Sequence, residues 1–313
     1  MTQQVIVVSG GLSHEREISL ESGQRVAREL TNAGFEVTTS DIQPSLIELI
    51  GTLDDPVVFP MLHGGAGEDG AVREVLELIG APYVGSSAVA CRASFDKALA
   101  IPVVARAGLA VPKRVILPHD MFRDLGAGVL MTLIEDRLGL PLFVKPSASG
   151  SALGTSRVDR IEDLATAMVN AYSYGRVVVV EECVEGTEIA VPVFDLGDGP
   201  VAFPPVEIRP ASGVYDFEAR YTAGSTTYVC PAALDSDVIE ACKDAAVTAH
   251  VTLGLRDFSR ADIIVRDGQP VFIESSVAPG MTETSLVPLS LQTAGASLSE
   301  VLAQLVRKAA TRG

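Results

Sequence analysis

The chain opens with an apolar run at 4–9 (QVIVVS), stopped dead by Gly10-Gly11, and a helical pattern follows at once. The order then repeats. Residues 17–30 carry Ile18, Val26, Ala27 and Leu30 close to helical spacing, and Gly34 closes them. Residues 35–41 read as a strand, 45–50 as a helix, 57–61 as a strand and 71–79 as a helix. Short apolar strands separated by helix-length crossovers dictate a parallel sheet wrapped on both faces. This first unit runs to about Phe95.

The pattern then changes. Residues 96–108 are helical, followed by a strand at 114–117, a helix at 124–138 and an apolar strand at 141–144. A loop of small residues at 147–154 leads to a strand at 155–158, which predicts an antiparallel hairpin. A helix at 161–173 and the β-branched run 177–180 complete a mixed α+β unit. In the last third, 188–194 and 201–208 read as strands, and 209–227 is polar with no clear period. A loop that long inside a compact domain serves as a lid or binding loop. A helix at 237–253 precedes strands at 259–265 and 270–275, joined across Asp267-Gly268, a strong hairpin signal. The tail 286–308 is helical.

Composition narrows the function. The 313 residues suffice for two or three domains. With 24 Lys and Arg against 40 Asp and Glu, the net charge is −16. Such a chain has no footprint for nucleic-acid phosphates or an anionic membrane. Aromatics are only 5% with no Trp, so base-stacking platforms are not expected. No apolar run approaches the ~20 residues that cross a bilayer. Residues 1–11 lack the basic start and long apolar stretch of a signal peptide. Cys91, Cys183, Cys230 and Cys242 show no CxxC spacing, so neither a zinc site nor a redox pair is expected, and a reducing, cytoplasmic compartment is.

Four segments carry chemistry. The run 63–70 (HGGAGEDG) follows a predicted strand and crowds His63, Glu68 and Asp69 into a flexible turn. Its GxGxxG match at 65–70 is a weak dinucleotide signal, because that fingerprint normally follows the first strand of its unit. No GxxxxGK[ST] is present, so a P-loop is excluded. Lys97 and Lys145 instead flank the middle unit, and Lys145 ends a strand just before the small-residue loop 147–154. Such a loop lays backbone N–H groups against phosphate oxygens while lysines add point charges. Near the C-terminal hairpin, Arg260 and Asp262 lie on one strand and Glu274 and Ser276 on its partner. Facing carboxylates need a cation, and Mg²⁺ suits hard oxygen ligands plus phosphates. The bland alternative is a solvated strand face on which Arg260 neutralises Asp262. Finally, Ser13 reads as a helix cap, and Glu15 sits in a βα loop at the carboxyl end of a parallel strand, where α/β sheets hold ligands.

Taken together, GGLSHEREISL near the start, LHGGAGEDG, FDK at 95–97, VKPSASGSALGTSRV, VEECVEGTEI, YDFEARY, SRADIIV and ESSVAPGMTETSLVP resemble the D-alanine–D-alanine ligases of the ATP-grasp superfamily. The resemblance runs over nearly the whole chain. It implies an N-terminal, Rossmann-like substrate domain at 1–95, a central ATP-grasp subdomain at 96–182 and a catalytic C-terminal domain at 183–313. The implied reaction joins two D-alanines through an acyl phosphate, for peptidoglycan precursor synthesis, with ATP and Mg²⁺ (or Mn²⁺). The family pattern puts Lys97 and Lys145 on ATP, Glu181 and the backbone of Glu182, Cys183 and Val184 on adenine, and Glu188 on the ribose, with Arg220 also on the nucleotide. It gives Asp262, Glu274 and Ser276 to the metal, and Arg260 with the Gly280 N–H to an oxyanion site. Glu15 and His63 would hold the first D-alanine, Ser285 and Leu286 the second, and Glu15, Ser151 and Tyr221 would close the loop 209–227. Pairing as a homodimer is implied too.

The chain departs from that pattern. Ser276 stands where Asn is usual, Ala152 where the phosphate loop has a second Ser, Arg220 where Lys precedes the loop tyrosine, and Phe217 where a second Tyr is usual. Arg keeps the charge of Lys but not its shape. These changes motivate two alternatives: a ligase with another amino acid or amine as substrate, or a nucleotide-binding paralogue with little turnover. The resemblance implies that Tyr221 favours an amine over a hydroxyl as second nucleophile.

Overall fold

A computed structural model gives the fold and describes residues 2–215, 219, 220, 222 and 224–312. The first unit forms a parallel sheet in the order β2 (Glu36–Ser40), β1 (Gln4–Val8), β3 (Val57–Pro60). Alternation along the strands splits its two faces. Val5, Val7, Val57 and Phe59 pack with Val26 and Leu30 of α1 (Arg16–Asn32), while Ile6, Val8 and Val58 pack with Leu46 of α2 (Ser45–Thr52) and Leu76 of α3 (Ala71–Leu78). α4 (Ala88–Phe95), which the sequence reading missed, and α5 (Lys97–Arg106) follow.

The middle sheet is antiparallel, in the order β4 (Arg114–Pro118), β7 (Val177–Glu182), β5 (Leu142–Pro146), β6 (Ser156–Val158). The β5–β6 pair is the expected hairpin around the small-residue loop. The helix expected over 124–138 is two, α6 (His119–Asp124) and α7 (Ala127–Leu138), because Gly126 takes a φ of 88° between them. α8 (Ile161–Tyr172) packs beside them.

The third sheet is antiparallel and six-stranded. β11 (Thr226–Val229), β10 (Val206–Pro210), β8 (Thr187–Asp195), β12 (Phe258–Arg266) and β13 (Gln269–Ser276) run in that order, with β9 (Pro200–Ala202) also on β8. Here the single strand expected over 201–208 is broken into β9 and β10 by Pro204-Pro205, since proline cannot donate to a ladder. β11 begins at the end of the stretch expected to be loop, and β10 runs two residues into its start. The Asp267-Gly268 turn has φ of 51° and 75°, the left-handed pair that a two-residue hairpin needs. α9 (Ser236–Thr252) packs on this sheet together with Ala90 and Cys91 of α4 and Ala100 and Val104 of α5. The helical tail is α10 (Leu286–Thr293) and α11 (Leu298–Ala310), separated at Gly295 (φ 71°). α11 returns to the first sheet: Val301, Leu302, Leu305 and Val306 share a core with Val5, Val7 and Phe59. No described helix is long and apolar enough to cross a membrane.

Candidate active site

Two adjoining cavities, of about 700 and 610 Å³, share Lys97, Ser149, Tyr215, Arg220 and Glu274 as their common wall. The β12–β13 register makes that wall. It sets Asp262 opposite Glu274 and Arg260 opposite Ser276, with an irregularity after Asp262. Residues two apart on a strand share a face. Arg260 accordingly forks onto Asp262, with Nε to Oδ1 and Nη2 to Oδ2 both 2.6 Å. The pairing expected of a solvated face does form, but both side chains are largely buried.

Lys97 reaches in from the start of α5, its Nζ 3.0 Å from Glu274 Oε2 and donating to the Ser149 carbonyl at 2.7 Å. Burial pushes the Glu274 carboxyl up, yet Lys97, Arg220 and Lys145 together hold it down to about 2. It is therefore ionised and ready to accept. Glu188, on the neighbouring β8, lacks such cover. Burial raises it to about 7, with Arg220 opposing and Asp262 and Glu274 adding repulsion. Arg220 is itself lowered by burial but raised on balance by Asp262 and Glu274, and its guanidinium lies 4.3 Å over the Tyr215 ring.

The 610 Å³ cavity extends along the ends of β7 and β5. Lys145 pairs with Glu181, whose Oε2 is buried with no hydrogen-bond partner among the described residues. An orphaned buried acceptor costs about 1–3 kcal/mol unless a ligand donor meets it. Phe143, Val184, Ile264 and Ile273 supply apolar walls. The amides of Glu182 and Cys183 already donate to the Lys113 and Pro141 carbonyls, at 2.9 and 3.0 Å. Of the three residues whose backbone is expected to meet a base, Val184 alone has an amide lacking a partner among the described residues.

The 700 Å³ cavity is roofed by the first unit. Glu15 precedes α1 and is hydrogen-bonded to Ser151 of the small-residue loop. Ser13 lies two residues before the N-cap position Glu15 and makes two contacts: its Oγ accepts from the Glu15 amide at 3.2 Å in a cap-like turn, and its hydroxyl donates to the His63 carbonyl at 2.5 Å, which ties the Glu15 turn to the 63–70 loop. Gly64 is required between them, because with φ 66° a Cβ there would sit 2.5 Å from Glu15 Oε2. His63 is buried, Nε2 3.1 Å from Ser22 Oγ and Nδ1 4.0 Å from Glu68 Oε1. Burial lowers its pKa. On the opposite side, Gly280, Ser285 and Leu286 line the cavity with Ser276. Ser285 Oγ accepts from the Thr282 amide at 2.9 Å, and a Cβ on Gly280 would sit 2.8 Å from that oxygen. Tyr221 and Phe217 lie outside the described residues.

The lining residues outside the expected site include Glu68, Tyr215 and Ser149. Glu68 stands in the flagged HGGAGEDG run, where Asp69 proves to be a helix-end acceptor for the Ala71 amide at 2.8 Å. Burial, then Glu15, pushes Glu68 up to about 8, against Arg73 and Arg260. A buried acid raised above its ordinary 4.5 opposes folding progressively as pH climbs from 4.5 to about 8, and fully above that. Glu68→Gln is therefore expected to raise the melting temperature, with a gain that grows from pH 5 to pH 8 and then levels. Thermal unfolding across that series checks the sign.

Residues 44–86 match the D-ala D-ala ligase N-terminus and 103–307 the D-ala D-ala ligase C-terminus. The chain is 35% identical to a D-alanine–D-alanine ligase of Fervidobacterium nodosum, over 97% of this chain and 98% of that one. It is 36% identical to one of Desulforudis audaxviator over the whole of both. Among solved structures, VanG D-Ala:D-Ser ligase from Enterococcus faecalis superposes with a TM-score of 0.84 at 28% identity, covering 99% of this chain and 100% of that one. D-alanine–D-alanine ligase from Bacillus anthracis complexed with ATP superposes with a TM-score of 0.82 at 27% identity, covering 98% and 97%. The chain belongs to the D-alanine–D-alanine ligase family, ATP-dependent, ADP-forming enzymes of the ATP-grasp fold.

Proposed function

We propose that the protein joins two D-alanines for peptidoglycan precursor synthesis in the cytoplasm, working as three domains at 1–95, 96–182 and 183–313. The observation that carries this reading is the pair of adjoining cavities that share ionised Glu274 with Lys97 and Arg220, while the paired Asp262 and Arg260 face one cavity each. ATP occupies the 610 Å³ cavity, with Lys97, Lys145 and Arg220 toward its phosphates, Glu188 toward the ribose and the unpaired Glu181 oxygen taking a donor from the base. Asp262, Glu274 and Ser276 offer only hard oxygen donors, which fit Mg²⁺. When bound there, the ion neutralises phosphate charge.

Glu15 takes the ammonium of the first D-alanine, and His63 lies by its carboxylate. An oxygen of that carboxylate attacks the γ-phosphorus, ADP departs, and an acyl phosphate forms. The amine of the second D-alanine, placed by Ser285 and Leu286, attacks the carbonyl carbon. Arg260 and the Gly280 N–H stabilise the resulting oxyanion. Phosphate leaves and the amine loses its proton. The loop 209–227, drawn down by Glu15, Ser151 and Tyr221, keeps water from the acyl phosphate.

Incubation with MgATP and a panel of D- and L-amino acids, followed by phosphate release and dipeptide mass, tests the proposal. D-Ala-D-Ala as the main product supports it; a D-Ser or other product, or nucleotide binding without release, overturns it. Ser276→Asn, restoring an amide oxygen, is expected to lower the half-saturating Mg²⁺ concentration by on the order of tenfold, the scale on which single changes around a metal move its affinity. A magnesium titration of phosphate release reads this. Leu78, Val89 and Leu99, exposed on α3, α4 and α5, mark the face through which two copies would pair as a homodimer, and sedimentation of a Val89→Glu variant as a monomer is the expected outcome.

A further inference from the structure

Outside the lining of both cavities, Asp257 is fully buried in the turn before β12 with a φ of 66°, a left-handed conformation that costs a non-glycine residue energy. Its carboxylate explains why the turn holds. Arg312, just after α11, forks onto it with Nη1–Oδ1 2.7 Å and Nη2–Oδ2 2.6 Å. The Gly85 amide donates to Oδ2 at 2.7 Å, and Arg312 Nη2 also reaches the Tyr83 carbonyl at 2.8 Å. Arg256 Nε closes the stitch by donating to the Gly85 carbonyl at 2.6 Å. Lys308 adds a second cation, 3.7 Å from Asp257 and 2.9 Å from Asp195.

We propose that Arg312 and Asp257 are positioning residues that set the amino-acid-binding face of the first unit against β12. The inference rests on the reading that the first amino acid lies between Glu15 and His63 on one side and Arg260 on the other. Asp257 is three residues from Arg260 on one continuous segment, and the Tyr83–Gly85 segment it grips pairs alongside β3 at Val58, from which the chain runs on to His63. Releasing the fork lets those two walls shift relative to each other. The nucleotide's wall is anchored independently: the Lys97 amide donates to the Ser147 carbonyl and its Nζ to the Ser149 carbonyl, both at 2.7 Å.

The effect should therefore split between substrates. Arg312→Gln is expected to raise KM for the first D-alanine by on the order of tenfold, the scale of a sub-ångström misplacement of a reacting group, while KM for ATP stays within about twofold. Arg312→Lys should restore most of the loss. Asp257→Asn, which tolerates the left-handed turn but loses the charge, should reproduce the split should Arg312→Gln fold poorly. Hydrogen exchange of the peptide containing Gly85, measured without substrate, should speed up in both variants. Unchanged constants, a parallel rise for both substrates or unaltered exchange would each overturn the clasp. A wild-type enzyme that makes no D-Ala-D-Ala while the exchange still responds would overturn the proposed reaction and leave the contact standing.

Discussion

Arg260→Met should cut D-alanine-dependent phosphate release by about 10²–10³-fold, the usual cost of removing one oxyanion donor. The guanidinium lines the amino-acid cavity opposite Ser276 and on the same wall as Gly280, where negative charge would develop on the carbonyl oxygen. It has a second task, as it covers both oxygens of Asp262. Met leaves that buried carboxylate uncompensated, so a stability loss of about 3–5 kcal/mol accompanies the loss of rate. The two effects are separable. Adding Asp262→Asn to Arg260→Met removes the stranded charge and should recover much of the melting temperature but none of the activity. Arg260→Lys keeps the charge without the fork and should fall between. Stopped-time phosphate assays and thermal unfolding on the four proteins decide it. A single Arg260→Met variant with wild-type turnover would remove this side chain from the reaction.

Much of this site was legible in the sequence because it depends on strand register. Two-residue spacing puts Arg260 with Asp262 and Glu274 with Ser276, and the Asp267-Gly268 turn fixes which residues face across the hairpin. The helix–strand order of the first unit was equally plain, since short apolar runs alternate with helical spacing and Gly10-Gly11, Gly34 and Gly80 close three of them. Breaks inside elements were not. Pro204-Pro205 splitting β9 from β10, and the glycines dividing α6 from α7 and α10 from α11, interrupt patterns whose hydrophobic period continues on both sides. Ser13 was legible as a cap-type residue at the entry to α1, but its second contact, to a distant carbonyl, depends on where the fold puts residue 63. Tyr215 opens the YDFEARY run, yet nothing local shows that it lines the cavity wall, and the Asp257–Arg312 fork carries no local signal at all, because its partners are chosen by long-range packing. Glu68 was visible as an ionisable residue in a turn, but its burial, which gives it an unusual proton affinity, belongs to the folded chain.

Glu274→Gln is the change with the most diagnostic consequences. In the wild type, three cations converge on this carboxylate, with Lys97 3.0 Å away and Arg220 and Lys145 contributing from farther off. Neutralising it leaves their positive charge facing the nucleotide cavity. Metal-free ATP should then bind at least as tightly as before, whereas MgATP loses a ligand. Loss of several kcal/mol of charge stabilisation corresponds to a rate roughly 10³-fold lower. Calorimetry with ATP, with and without Mg²⁺, would show the preference inverted. The pH behaviour provides an independent check. A carboxyl held at about 2 instead of its ordinary 4.5 stabilises the fold fully above pH 4.5 and loses that contribution as pH falls toward 2. Wild-type stability should thus drop more steeply than that of the Gln variant across this acid range, a difference that requires no substrate. If the variant kept both its magnesium requirement and the wild-type acid slope, Glu274 would be neither a metal ligand nor the anion those cations are arranged around.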